Sequence, residues 1–455
     1  MAEMEQTMGP LDGHFTYGRL LKFTVPSVVM LIFVSIYGVV DGIFVSNFVG
    51  KTPFAAVNLI FPFLMVVSSL GFMVGTGGSA LIGKTLGEGE SERANRLFSM
   101  LIGVSFAVSL VLVVLGLVFL RPIAVLLGAE GDMLECCVTY GRVLVIALPA
   151  FILQNEFQSF FVTAGKPRLG LTATVAAGVT NMVLDALFVA VFRWGLVGAA
   201  LATALSQTVG GLLPLFYFAR RNQSLLRLCR FSIDGRALLR VCTNGSSELM
   251  NNLSMSLVSM LYNVQLLRLA GENGISAYGV LMYVNFVFVS AFIGYSVGSA
   301  PPVSFHFGAA NRSELRSLLR KGVVLMVATG VVLAAVAFLS APVLSGVFVG
   351  YDQELYEMTL RAFRMYAVSF IAAGVNIFGS AYFTALNNGL VSAVLSFSRT
   401  LVFQLSALYI LPLWWGLDGI WLAGPTSEVL CLVMTGAFLA HARYRGALKR
   451  VAEEI

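Results

Sequence analysis

Apolar residues gather along this chain into blocks of roughly 20, enough to carry an α-helix across the hydrocarbon core of a bilayer. The blocks fall at about 23–47, 54–79, 96–119, 139–163, 169–192, 196–219, 242–267, 275–299, 322–345, 360–385, 391–413 and 419–441. Twelve membrane helices are predicted, six in each half of the chain. Gly and Pro recur inside the blocks, which membrane helices tolerate because neighbouring helices satisfy the displaced backbone groups.

The pattern is written twice. Trp194-Gly195-Leu196-Val197-Gly198-Ala199 returns 221 positions later as Trp415-Gly416-Leu417-Asp418-Gly419-Ile420. Gly87 returns as Gly308, Thr163-Ala164 as Thr384-Ala385, and Ser206 as Ser427, all at 221, while Leu20-Leu21-Lys22 returns at 218 as Leu238-Leu239-Arg240. So steady a displacement marks an internal duplication. Because each half has an even number of spans, the halves share one orientation. They are expected to be related by a pseudo-two-fold axis along the membrane normal, with a cleft between them. The organisation read from this is an N-terminal six-helix lobe (1–219), a basic linker (220–240) and a C-terminal six-helix lobe (241–455). The fold class expected is an all-α polytopic membrane protein.

Composition agrees with a bilayer as the solvent. Hydrophobic residues make up 58% and charged residues 11%, with a mean hydropathy of +0.87, too apolar to cover a water-soluble surface for 455 residues. With a cytoplasmic N-terminus, 21 Lys and Arg fall on that side and seven on the other. The excess sets both termini in the cytoplasm. It also accounts for the net charge of +6: the positives lie on loops facing anionic lipid, so no nucleic-acid partner is expected. Residues 1–18 carry three acids and no basic leader, so the first span is expected to be retained. Five Cys and three His are scattered without ligand spacing. Neither an enzyme activity nor a cofactor is expected.

Ionisable groups inside spans are the informative chemistry, since a carboxylate at the bilayer centre costs roughly 3 kcal/mol or more unless it pairs, protonates or meets water. Asp41 lies late in the first span with no cation near it in sequence. Asn181 and Asp185 are four apart and share one face of the fifth span, and Thr203 offers a hydroxyl from the sixth. Such oxygens suit a proton or a hard cation such as Na⁺. Pro26 removes a backbone donor early in the first span and favours a bend. Glu248 and Asn251 open the seventh span, and Gln154, Glu156 and Gln158 form a polar run in the fourth. With Tyr37, Tyr262, Met282 and Asn376 they are the candidate lining of a substrate cleft, where aromatic and thioether surface suits amphipathic cations. Arg399 is expected to snorkel to the cytoplasmic surface. At 221, Asp41 falls on Tyr262 and Asp185 on Ser406, so the halves do not share these acids.

Leu20 to Pro26, Val39-Val40-Asp41, Gly50 to Asn58, Gly83 to Gly87, Ala164 to Pro167, Asn181 with Asp185, and Trp194 to Ala200 together resemble the multidrug and toxic compound extrusion (MATE) family, in its MepA-like and DinF-like bacterial branch. The resemblance runs from about residue 15 to 445. It implies alternating access between two six-helix lobes and export of amphipathic, cationic drugs in exchange for H⁺ or Na⁺. It also implies a bacterial cytoplasmic membrane location and function as a monomer. By the same resemblance Asp41, Asn181, Asp185 and Thr203 form the ion site, Pro26 bends the first helix, and Glu248 matches an acidic position in helix 7. Asn376 is the polar candidate in helix 10, where the NorM branch has an acid. A flippase of lipid-linked oligosaccharides, built on a related duplicated fold, is the alternative.

Overall fold

The computed structural model describes residues 9–49, 51–350 and 352–453. Gly50, the first eight residues behind the expectation for the N-terminus, and the side chains of Lys51, Arg443, Arg445, Lys449 and Arg450 lie outside what it describes. The first lobe comprises α1 (Tyr17–Phe44), α2 (Lys51–Gly87), α3 (Ser91–Leu126), α4 (Gly131–Thr163), α5 (Pro167–Asp185) and α6 (Gly195–Ala219). The second comprises α7 (Gly235–Gly271), α8 (Asn273–Gly308), α9 (Arg312–Val349), α10, α11 (Gly389–Trp415) and α12 (Leu417–Glu453). α10 is bent, its segments Gln353–Ala367 and Ser369–Ala385 meeting at 48°. Counting that pair as one span, twelve helices are long and apolar enough to cross a membrane, and no strand occurs among the described residues.

Local chemistry sets the boundaries. Asp234, Asn311, Asp352 and Asn388 each accept backbone N–H groups at the start of a helix, satisfying donors with no partner inside it. The repeated Trp-Gly has a conformational cause: Gly195 (φ 58°) and Gly416 (φ 52°) occupy the left-handed region at equivalent turns before α6 and α12. α1 passes through Pro26 without interruption of the helix.

The duplication is also visible where the lobes meet. A Cβ on Gly87 would stand 1.9 Å from the Phe305 carbonyl oxygen, and a Cβ on Gly308 would stand 1.9 Å from that of Lys84. These are the same contact seen twice, since Gly308 repeats Gly87 and Phe305 repeats Lys84. The pseudo-two-fold axis therefore passes between α2 and α8 at the end of the bundle that carries the 220–234 linker, here the linker end. The Ser35 and Ser290 hydroxyls join α1 to α8, and Asn387 Nδ2 donates to the Ala80 carbonyl at 3.1 Å.

A strap ahead of α1 bridges the lobes at this end. Leu11 is buried in the N-terminal lobe's core and Phe15 in that of the C-terminal lobe. Glu314 holds the strap: one carboxylate oxygen accepts the Phe15 N–H at 2.9 Å, and the other meets His14 Nδ1 at 2.7 Å. Lys321 Nζ donates to the Phe15 carbonyl. Glu314→Ala leaves the buried Phe15 N–H without this acceptor and should destabilise the protein by about 1–3 kcal/mol. A lowered melting midpoint in detergent and faster tryptic cleavage at Arg19 are the expected readings, with Glu314→Gln affected less. Unchanged values for Glu314→Ala would remove the strap's structural role.

Candidate functional site

Three helices bring the first constellation together. α1 delivers Asp41, α5 delivers Asn181 and Asp185 from one face, and α6 delivers Thr203. Asn181 is 1% and Asp185 0% exposed. Thr203 Oγ1 approaches Asp41 Oδ1 at 3.5 Å, the outer limit of a hydrogen bond. Asp185 and Asn181 flank the Asp41 carboxyl without regular hydrogen-bond geometry. Among the described residues both Asp185 oxygens and both polar atoms of the Asn181 amide lack a hydrogen-bond partner. Buried polar groups are normally satisfied, so these four atoms are open valences in a closed space.

The backbone marks the same place. α1 passes into a π-helical turn at Val45–Val49, just beyond Asp41, and α5 into another at Ala186–Val191, directly after Asp185. Such turns are concentrated at functional sites. A third, Ser398–Phe403, carries Arg399. Tyr140 on α4, which sequence reasoning did not single out, is 2% exposed, reaches Thr203 and lies in electrostatic range of both acids.

The polar run in α4 divides by helical face. Gln154 and Gln158, four apart, line a narrow crevice of about 10 Å³, hardly room for one water, with Phe157, Phe161, Thr174 and Pro214. Tyr37 stands beside Gln154 and Asp41. Glu156, expected in the cleft, instead turns inward: it is 0% exposed, backs onto Gly75 of α2 and lies beside Ser105 of α3. Its carboxylate has no hydrogen-bond partner among the described residues.

The second lobe has an ionic centre of its own, against expectation. Arg399 does not snorkel; its Nε and Nη2 both approach Glu428 Oε1 at 2.8 Å. Asn376 Nδ2 donates to Glu428 Oε2 at 2.8 Å, and Thr435 Oγ1 donates to Asn376 Oδ1 at 3.1 Å. Asn376, expected in an open cleft, is thus a buried link between α10 and α12, 1% exposed. Thr400 Oγ1 donates to Asn251 Oδ1 at 3.4 Å and ties α11 to α7, with Glu248 one turn along α7 in electrostatic range of Arg399. Tyr262 also belongs to the lobe interior, stacked on Tyr278 at 4.9 Å with its hydroxyl accepting from Gln404, and Met282 packs against the same core.

A duplicated bundle of bilayer-length helices with ionisable side chains held inside both lobes defines a multi-pass membrane protein of the transporter type. The chain belongs to the MatE family, whose profile matches residues 26–187 and again 249–410, one match in each half. It is 22% identical over 425 residues to the multidrug export protein MepA of Staphylococcus haemolyticus, covering 93% of this chain and 92% of that protein. A solved outward-facing multidrug resistance MATE transporter of the MOP superfamily superposes with a TM-score of 0.90 at 23% identity, covering 97% of this chain and 98% of that one. A MOP superfamily transporter from Pyrococcus furiosus, described as having a binding pocket of reversed polarity, superposes with a TM-score of 0.89 at 23% identity and the same coverage.

Proposed function

We propose that the chain is a secondary antiporter that exports amphipathic organic cations across a bacterial cytoplasmic membrane in exchange for H⁺ or Na⁺. The observation that carries this reading is the grouping of half-buried Asp41 and Thr203 with buried Asn181 and Asp185, whose four polar side-chain atoms are unpartnered among the described residues. Two carboxylates sharing one pocket repel each other, and a proton or Na⁺ relieves the repulsion. The pocket therefore favours a loaded state, and a loaded pocket favours whichever lobe arrangement closes around it. Gln154, Gln158 and Tyr37, beside that pocket, form the substrate-facing wall. The multidrug export role of the staphylococcal relative supports the substrate class. The linker end is the cytoplasmic side, and the α2–α8 contact there closes the cleft toward the cytoplasm. Export follows when ion and drug favour opposite facings, because a ligand with equal affinity for both shifts no population.

The test is flux in proteoliposomes with a monovalent organic cation, run separately under a proton and a Na⁺ gradient. Drug movement against its gradient under one of the two is the expected result. Absence of movement under both, with scrambling of a lipid-linked substrate instead, would replace the antiporter with a flippase.

A further inference from the structure

We propose that the linker between the lobes is a docking surface for an anionic phospholipid, with Arg96, Arg227 and Arg230 as its headgroup site. The linker is braced on the bundle. Residues 226–234 run along α3 without helix, the Arg227 N–H donating to Asn95 Oδ1 and the Cys229 N–H to Ser99 Oγ, both at 2.8 Å. Two residues on, the Phe231 ring lies across Gly103, where a Cβ would stand 2.5 Å from it. The strand then turns back, and the Asp234 N–H donates to Met100 Sδ at 3.1 Å. At about 100° per residue, Arg96, Ser99, Gly103, Leu110 and Val114 form one stripe of α3. The strand covers Ser99, which is 2% exposed, whereas Leu110 and Val114 are exposed and apolar. Such a stripe on a helix of bilayer length faces acyl chains. Phe231 therefore marks the level where the hydrocarbon begins, and the strand leading to it lies among the headgroups.

The three arginines are free at that level. Arg96 and Arg230 are exposed, as is Arg227, whose backbone bonds to the neighbour of Arg96. None of the three side chains makes an ion pair among the described residues. Of the nearby acids, Asp234 caps α7, Glu90 pairs with Arg93 at 2.9 Å, and Glu92 stands a turn of α3 farther from the hydrocarbon. The guanidiniums keep their charge for a ligand, and their planar N–H forks match phosphate. Ile233, 75% exposed, and Phe231, 44% exposed, add apolar surface beside them. A lipid covers that surface with its chains, which a soluble phosphate cannot do. The surface is built on one flank only. At the displacement of 218, Arg227 and Arg230 fall on Gly9 and Asp12, so the strap held by α9 carries no arginine at either place.

The test follows the melting midpoint of the full chain, stripped of lipid in neutral detergent, as dioleoylphosphatidylglycerol, dioleoylphosphatidylcholine or inorganic phosphate is added. Phosphatidylglycerol should raise the midpoint at concentrations where the other two do not. Arg227→Gln with Arg230→Gln removes two charges but keeps the backbone bonds to Asn95 and Ser99, and should move the phosphatidylglycerol dependence to roughly tenfold higher lipid. Ile233→Ser should move it by about threefold or more. Arg316→Gln with Arg320→Gln, an exposed pair on α9, is the comparator and should stay within about twofold of wild type. Should the linker double variant not fold, Arg230→Gln alone carries the test with a shift of about threefold or more. No response to phosphatidylglycerol, an equal response to phosphatidylcholine, or an equal shift for the α9 pair would overturn the proposal. A response to inorganic phosphate that matches phosphatidylglycerol would overturn it too, by making the site one for a soluble anion.

Discussion

Asp41→Asn is expected to abolish gradient-coupled efflux while leaving insertion and folding intact. The isosteric amide preserves the shape of the pocket and still accepts the contact from Thr203, now 3.5 Å from Asp41 Oδ1. What it removes is the charge that a proton or Na⁺ would meet. With only Asp185 left, the repulsion that drives loading is gone. Losing one charged contact to a bound ion is worth about 3 kcal/mol, on the order of a hundredfold in ion affinity. Coupled efflux should fall toward background in proteoliposomes, with the melting midpoint in detergent close to wild type. Asp185→Asn should behave similarly, and the double variant should add little, because the two acids act as one site. Coupled efflux unchanged in Asp41→Asn would remove the pocket from the mechanism.

The pocket was partly legible because its members obey short-range rules. Asn181 and Asp185 are one helical turn apart, and Asp41 stands alone in an apolar run. A spacing of four places two side chains on one face whatever the tertiary fold. The same rule separates the polar run in α4, where Gln154 and Gln158 share a crevice while Glu156 points toward α2 and α3. Reading that run as one cleft surface ignored the 100° between successive residues.

The C-terminal ionic centre was hidden for a different reason. Arg399 and Glu428 are 29 residues apart on neighbouring helices, and an arginine early in an apolar span has the same sequence pattern whether it reaches the surface or a buried acid. Only the packing of α11 against α12 decides between them. The π-helical turns are similarly silent, since nothing in Ala186–Val191 distinguishes it from ordinary helix. By contrast the duplicated Trp-Gly was readable because each Gly adopts a backbone conformation that other residues reach only with strain. The strap is not legible in the sequence because its partners, Glu314 and Lys321, lie some 300 positions away.

The duplication leads to the second large effect, Gly308→Val, which should hold the linker end open and stop export. The Cβ of any residue at 308 would stand 1.9 Å from the Lys84 carbonyl oxygen. That oxygen belongs to helix backbone, so no rotamer change relieves the clash and α2 and α8 must separate. Overpacking of this kind typically costs about 1–3 kcal/mol, and here the cost falls on only one arrangement of the lobes. Since about 1.4 kcal/mol is a tenfold change in population, the closed linker end should be depleted by roughly tenfold or more. Cys242 on α7 packs, partly buried, against the N-terminal lobe's core and reports on this separation. In a Cys229→Ser background, which removes the exposed thiol, maleimide should label Cys242 faster by about the same factor. Gly87→Val should reproduce the effect from the other side of the axis, its Cβ meeting the Phe305 carbonyl. Gly279→Ala, in the same helix as Gly308 but with open space around its Cβ, should not. Were Gly308→Val to insert, export normally and leave Cys242 labelling unchanged, the α2–α8 crossing would be a passive contact and the gate would lie elsewhere.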